Sequence, residues 1–113
     1  SWIAINVFGN TYIQINSNTT TISTSNSDTR GFYIANRTNS TQHILFRNTT
    51  KTTTSVNSTG LNTSNIYVGA VNPGLYTLRE CAFASIGDGL TDTEASNFYT
   101  AVNAFQVSLS RNV

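Results

Sequence analysis

The chain has 113 residues, a formal net charge of +1, 38% hydrophobic and 11% aromatic side chains, and only 10% charged ones. That length allows one domain around one core, and the apolar content argues against disorder, which combines low hydrophobicity with high net charge. Arg30, Arg37, Arg47, Lys51, Arg79 and Arg111 are scattered singly, so no basic field is available for nucleic acid, and no segment has the roughly 20 apolar residues that cross a bilayer.

Trp2 to Phe8 alternates, with Ile3, Ile5 and Val7 on one face, and Gly9-Asn10 then breaks the run; this predicts a strand and a turn. Thr11 to Ile15, with Ile13 and Ile15 on one face, fits its hairpin partner. Asn16 to Thr29 is almost wholly Asn, Ser and Thr around Ile22, and an edge strand is expected near Thr20 to Thr24. Gly31 to Asn36 and Gln42 to Arg47 are rich in aromatic and branched residues and flank the turn formers Arg37 to Thr41, the clearest hairpin in the chain. Further strands are expected at Thr52 to Val56, Asn65 to Val71 and Arg79 to Ile86, with a turn at Asn72-Pro73-Gly74. Strands about 8–12 residues apart point to an antiparallel sandwich or barrel.

The period changes after Leu90. Ala95, Phe98, Val102, Phe105 and Leu109 recur at intervals of three and four, which predicts an amphipathic helix over about 92–109 with those residues on its packed stripe and Tyr99 beside it. Thr91-Asp92-Thr93-Glu94 has the form of a capping box, in which the Thr91 hydroxyl accepts from the Glu94 N–H and the Glu94 carboxylate reaches back. The whole chain therefore reads as mainly β, one domain over residues 1–113, with strands within about 2–87 closed by one C-terminal helix. Ser1 at the start and the absence of Met read as a processed product or part of a longer protein.

Residues that carry chemistry are few. Cys81 is the only cysteine, flanked by Ala82, Phe83 and Ala84, and reads as a buried thiol without a disulfide partner. His43 is the only histidine and reads as a polar strand residue facing solvent; a Ser-His-Asp arrangement needs it beside Asp28 or Asp88 through the fold alone. Asp88, Asp92 and Glu94 are the only carboxylates close in sequence, and turn formation and helix capping account for all three. Asp88 and Asp92 are the only candidate metal ligands, too few oxygens for calcium by themselves. No enzyme activity and no cofactor are expected. Asn18, Asn36, Asn39, Asn48, Asn57 and Asn62 begin Asn-x-Ser/Thr sequons, a number that a chain with roughly two fifths Asn, Ser and Thr yields nearly by chance.

The run Arg79-Glu80-Cys81-Ala82-Phe83-Ala84-Ser85-Ile86-Gly87-Asp88-Gly89-Leu90-Thr91-Asp92-Thr93-Glu94-Ala95 resembles the end of concanavalin-A-like, laminin-G-type jelly rolls, where a last apolar strand runs into a helix start. Gly31 to Thr38, Ile44 to Asn48 and Asn65 to Ala70 are similar to the central strands of that family. The resemblance covers about Asp28 to Val113 and is closest to versions in tailed-phage virion proteins. Many members carry Gly after the position of Asn48, where this chain has Thr49.

The resemblance implies a partial jelly-roll β-sandwich whose open sheet edge is covered by other residues or a neighbouring subunit. It further implies a non-catalytic structural or adhesion module on a virion surface or in the extracellular space. Its partners are other virion subunits or copies of itself, and cell-surface glycan, without membrane insertion. Sugar binding in such modules uses amides, hydroxyls and an aromatic face, for which Tyr12, Tyr67 and Tyr76 are the candidates. The alternative is a secreted carbohydrate-binding module appended to an enzyme.

Overall fold

The computed structural model describes residues 1–18, 22–61, 63, 65, 67–68, 70–72, 74–76 and 78–111. Two antiparallel three-stranded sheets and one C-terminal helix form the body of the protein. The first sheet has the order β1-β2-β3, with β1 at Trp2–Val7, β2 at Asn10–Gln14 and β3 at Ile22–Ser25. The second has the order β4-β5-β6, with β4 at Tyr33–Asn36, β5 at Gln42–Arg47 and β6 at Thr50–Ser55. A small hairpin, β7 at Ala70–Asn72 and β8 at Leu75–Tyr76, precedes the helix α1 at Asp92–Ser108.

Both sheets are meanders, and backbone chemistry fixes their turns. β1 and β2 are joined through Phe8 (φ 48) and Gly9 (φ 78). Left-handed backbone at both central positions matches the right-handed twist of the strands. The turn thus falls one residue before the expected Gly9-Asn10, because Asn10 pairs with Val7 and belongs to β2. The β5-β6 turn has left-handed backbone at Asn48 alone (φ 52), a conformation Asn tolerates, so Thr49 needs no glycine's freedom. Asn48 also clasps the start of β4: its N–H donates to Phe32 O at 2.8 Å, and its Oδ1 accepts from Phe32 N at 2.8 Å.

The second sheet is covered on both faces, which makes β5 a run of four buried residues, His43 to Phe46, rather than an alternating strand. Leu45 packs on Ile13 of β2, with Tyr33 and Ala35 beside them. Ile44 and Phe46, on the opposite face, pack on Ala95 of α1 with Ile34 and Leu90. β2 lies over β5 and β3 over β6. Continuous apolar runs are the mark of strands buried on two sides.

α1 starts as a capping box: the Thr91 Oγ1 accepts from Glu94 N at 3.3 Å, and Glu94 Oε2 accepts from Thr91 N at 2.8 Å. The hydrogen bonds from Thr91 hold the Glu94 carboxyl below the usual range. Buried Asn36 docks the chain ahead of the helix, its Nδ2 donating to Leu90 O at 2.7 Å and its Oδ1 accepting from Leu90 N at 2.9 Å. The approach is close enough that a Cβ on Gly89 would lie 2.2 Å from the Arg37 carbonyl oxygen. Lys51 adds an ion pair with Asp92 at 2.8 Å.

Three expectations change. The packed helix stripe is Ala95, Val102 and Gln106, with Phe98 half-buried, whereas Phe105 (53%) and Leu109 (45%) are exposed; the helix is rotated so that Gln106, not Phe105, faces inward. Residues 79–86 form no strand and are exposed throughout, Cys81 included, and Cys81 Sγ donates to Phe83 O at 3.2 Å. Intrinsic β propensity produces a strand only against a partner, and among the described residues no ladder reaches this run. Of the strand expected at Asn65 to Val71, the described residues 65, 67 and 68 lie outside any strand and 70–71 belong to β7. Thr20, Thr21, Ile66, Gly69 and Pro73, which belonged to expected strands and a turn, and the sequon residue Asn62 lie outside the described residues.

Candidate functional site

The meander order brings the last strand of each sheet, β3 and β6, to the same side of the molecule. Cross-strand partners share a face. Thr24 stands opposite Thr11, and Thr52 opposite Leu45, so all four face into the space between the sheets. Where β2 and β5 meet, that space is filled by Ile13 and Leu45. Beyond them the inward positions are threonines, too short to close it, and a pocket of about 160 Å³ remains. Thr11, Thr24, Ser25 and Asn26 line it from the first sheet, and Tyr33, Leu45, Arg47, Thr50 and Thr52 from the second.

One wall is a closed hydrogen-bond network. Asn26 Nδ2 donates to Thr11 Oγ1 at 2.8 Å and to the Tyr33 hydroxyl at 2.9 Å, and Asn26 Oδ1 accepts from Asp28 N at 3.1 Å. The Tyr33 hydroxyl donates in turn to Asp28 O at 3.2 Å. Arg47 lies over the Tyr33 ring, 5.7 Å from its centroid, and its Nη2 donates to Asp28 O at 2.8 Å and Arg30 O at 3.2 Å. Among the described residues Arg47 Nε and Nη1 have no hydrogen-bond partner, and the enclosed Thr24 hydroxyl has none either.

The charge at this mouth is lopsided. Asp28 is paired with Arg30 at 2.9 Å, and hydrogen bonds from Arg30 hold its carboxyl down at about 2. Asp28 is therefore an anion at any ordinary pH, already matched by one cation. Arg47 is the second cation and pairs with no carboxylate among the described residues.

A second junction closes the opposite end of the sheets. His43 of β5 is completely buried, with Nε2 2.6 Å from Ile15 O and 3.1 Å from Ile15 N, while Nδ1 has no partner among the described residues. With its proton on Nε2 the ring donates to Ile15 O and no longer accepts from Ile15 N, whereas with the proton on Nδ1 it accepts from Ile15 N and strands a fully buried N–H. Arg37 Nε donates to the same carbonyl at 3.0 Å, and Arg37 Nη1 donates to Val56 O at 3.0 Å and Asn39 O at 3.2 Å. Burial, assisted by the charge of Arg37 and opposed by the Ile15 hydrogen bond, pushes the His43 pKa down.

This chain matches no protein-family model, no curated protein and no solved structure. His43, expected to face solvent, is enclosed because β5 is covered on both faces, and it has no route to a substrate. Tyr12 sits half-buried on the outer face of β2, Tyr67 and Tyr76 are exposed, Tyr76 in β8 itself, and among the described residues none of the three rings contacts another aromatic ring. Asp92 is committed to Lys51, and among the described residues no three His, Cys, Asp or Glu side chains come together as metal ligands.

Phe98 is a structural residue of a different kind from the core. It meets Phe32 edge-on at 5.4 Å and Phe83 at 5.9 Å, with Tyr99 stacked on Phe32 at 6.3 Å. Thr24, Asn26, Tyr33, Arg47 and Thr52 do not stand out as site residues in the sequence. The readable signal was threonine at inward positions of two edge strands, where a closed core needs branched aliphatic residues.

Proposed function

We propose that the chain is a non-catalytic structural and adhesion module of the partial jelly-roll kind, built to pack against copies of itself and other subunits on a virion surface and to touch host glycan. The observation that carries this reading is the apolar surface left unpacked before the helix. Leu61, Val68, Tyr76, Leu78 and Ile86 are all well exposed, Leu78 entirely. Arg79 Nη1 donates to Ile5 O, which brings this segment alongside β1. β1 is an edge strand whose Trp2 and Ile3 are themselves about 40% exposed.

Exposed apolar residues on this scale, next to an open sheet edge, mark an association surface. With a net charge of +1 and 10% charged residues, copies of the chain meet little like-charge repulsion. The jelly-roll assignment is supported by two facing sheets closed by a helix, and it requires further strands on the open edges. The hydroxyl-lined pocket favours the second reading, a secreted carbohydrate-binding module appended to an enzyme, which predicts a monomer.

Sedimentation velocity from micromolar to millimolar concentration separates the two. Association that rises with concentration and is abolished by Leu78→Asp together with Ile86→Asp supports the assembly reading. These side chains are exposed, so the substitutions leave the fold intact. A monomer at every concentration overturns it.

A further inference from the structure

We infer that the association surface closes as a two-fold dimer, in which residues 78–86 of one copy pair antiparallel with residues 78–86 of a second about Ala82. This rests on the assembly reading of the proposed function and names the contact. The side chains that hold the segment to the rest of its own chain are Arg79, whose Nη1 donates to Ile5 O, and Phe83, whose ring meets Phe32 at 6.0 Å and Phe98 at 5.9 Å. Both are odd-numbered. Alternate side chains of an extended chain point to opposite faces, so Leu78, Glu80, Ala82, Ala84 and Ile86 turn away from the body. Their exposure agrees: Leu78 is fully exposed and Ile86 is 72% exposed, against 38% for Phe83.

That outward face is complementary to itself. Leu78 and Ile86 stand equally far from Ala82 in sequence, so a two-fold axis at Ala82 sets Leu78 of each copy against Ile86 of the other. At the centre Ala82 faces its own copy and Glu80 faces Ala84, side chains small enough for the backbones to approach, and no two like charges stand opposite one another. Moving the axis to Cys81 or Phe83 sets Leu78 against Ala84 or Asp88 instead and loses the apolar pair. The backbone supplies the rest. Residues 79–86 have strand-like composition but no ladder among the described residues, and an unpaired run of this kind is a template for a second chain. The bends at Arg79 and Ala82 straighten as the ladder forms. A contact of this symmetry uses the same patch on both copies and closes at the dimer.

The test is disulfide scanning in a Cys81→Ser chain carrying Glu80→Cys, Ala82→Cys or Ala84→Cys. Sedimentation of the reduced chains first establishes that each associates, so failure of the register is distinct from failure of assembly. A disulfide needs Cα atoms about 4.4–6.8 Å apart. Directly opposed antiparallel residues lie about 4.5–5.5 Å apart, whereas residue 80 or 84 lies about 14 Å from its own copy in this register. On mild oxidation Ala82→Cys should therefore cross-link to itself at least about tenfold faster than Glu80→Cys or Ala84→Cys alone, while a mixture of those two should give the mixed disulfide. Association with equal rates at the three positions, or with faster linking at 80 or 84, would overturn the inference and leave the assembly reading standing. Growth of the reduced chain past a dimer would also overturn it, and a monomer at every concentration would overturn both.

Discussion

Acid should loosen the junction between the two sheets, and His43 is the group that makes it do so. The imidazole is completely buried, its Nδ1 has no partner among the described residues, and the charge acting on it is the Arg37 guanidinium, which shares the Ile15 carbonyl with it. Protonation would enclose a second cation beside the first. Because the folded-state pKa is depressed, the unfolded chain takes up the proton first. The stability contributed by neutral His43 is complete above about pH 6.5, the ordinary histidine value, and is lost as pH falls toward the folded value.

One proton gives a slope of at most about 1.4 kcal/mol per pH unit, and because the unfolded histidine is half protonated at about pH 6.5 the loss down to pH 5 is bounded at about 1.7 kcal/mol. With a urea m-value on the order of 2 kcal/mol/M, the unfolding midpoint falls by at most about 0.8 M. The assignment is clean because His43 is the only histidine, while Asp28 and Glu94, both held below the usual range, titrate further down. Urea unfolding at pH 7.5, 6.5, 5.5 and 5 (set by the histidine range) measures it, with His43→Gln as the non-titrating control. A midpoint independent of pH, or the same fall in His43→Gln, would refute the reasoning.

Four substitutions probe the helix and its docking. Gly89→Ala places a Cβ against the Arg37 backbone, where no side chain can yield; it should cost about 2–3 kcal/mol, and an unchanged melting temperature would show that the close approach is absent. Phe98→Asp puts a charge into the Phe32–Phe83 contact and should cost about 3 kcal/mol or more. Phe105→Asp, on the exposed side, should stay within about 1 kcal/mol; equal melting temperatures for the two variants would reverse the helix face. Gln106→Met removes an enclosed amide whose Nε2 and Oε1 both lack partners among the described residues and should raise stability by about 1–2 kcal/mol in urea unfolding; a lower midpoint would mean that the amide is satisfied after all.

Local signals in the sequence were strong where chain chemistry acts over a few residues. The alternation of Trp2 to Ile15, the turn formers between Asn36 and Gln42, and the Thr91 to Glu94 cap each depend on neighbours within one turn or hairpin. What the sequence could not express was the second cover on β5: His43 between Gln42 and Ile44 reads as solvent-facing until a sheet lies on one side and a helix on the other. Similarly, Gln106 and Phe105 differ by one position in an apolar stripe, and contacts distant in sequence fix the rotation: Asn36 on Leu90, Lys51 with Asp92, and Ala95 on Ile44 and Phe46. The Arg79 to Ile86 run has strand-like composition without a pairing partner, so propensity misread it. The pocket was illegible for a related reason, since Thr24 and Thr52 become neighbours only when two separate meanders are stacked.

Amide hydrogen exchange across residues 78–86 at low and high protein concentration tests the central claim, that this apolar segment is an association surface rather than part of the protein's own core. The account predicts near-unprotected exchange in dilute solution and protection that grows with concentration, lost again in Leu78→Asp, Ile86→Asp. Strong protection in the dilute monomer, or exchange unchanged at every concentration, would contradict it.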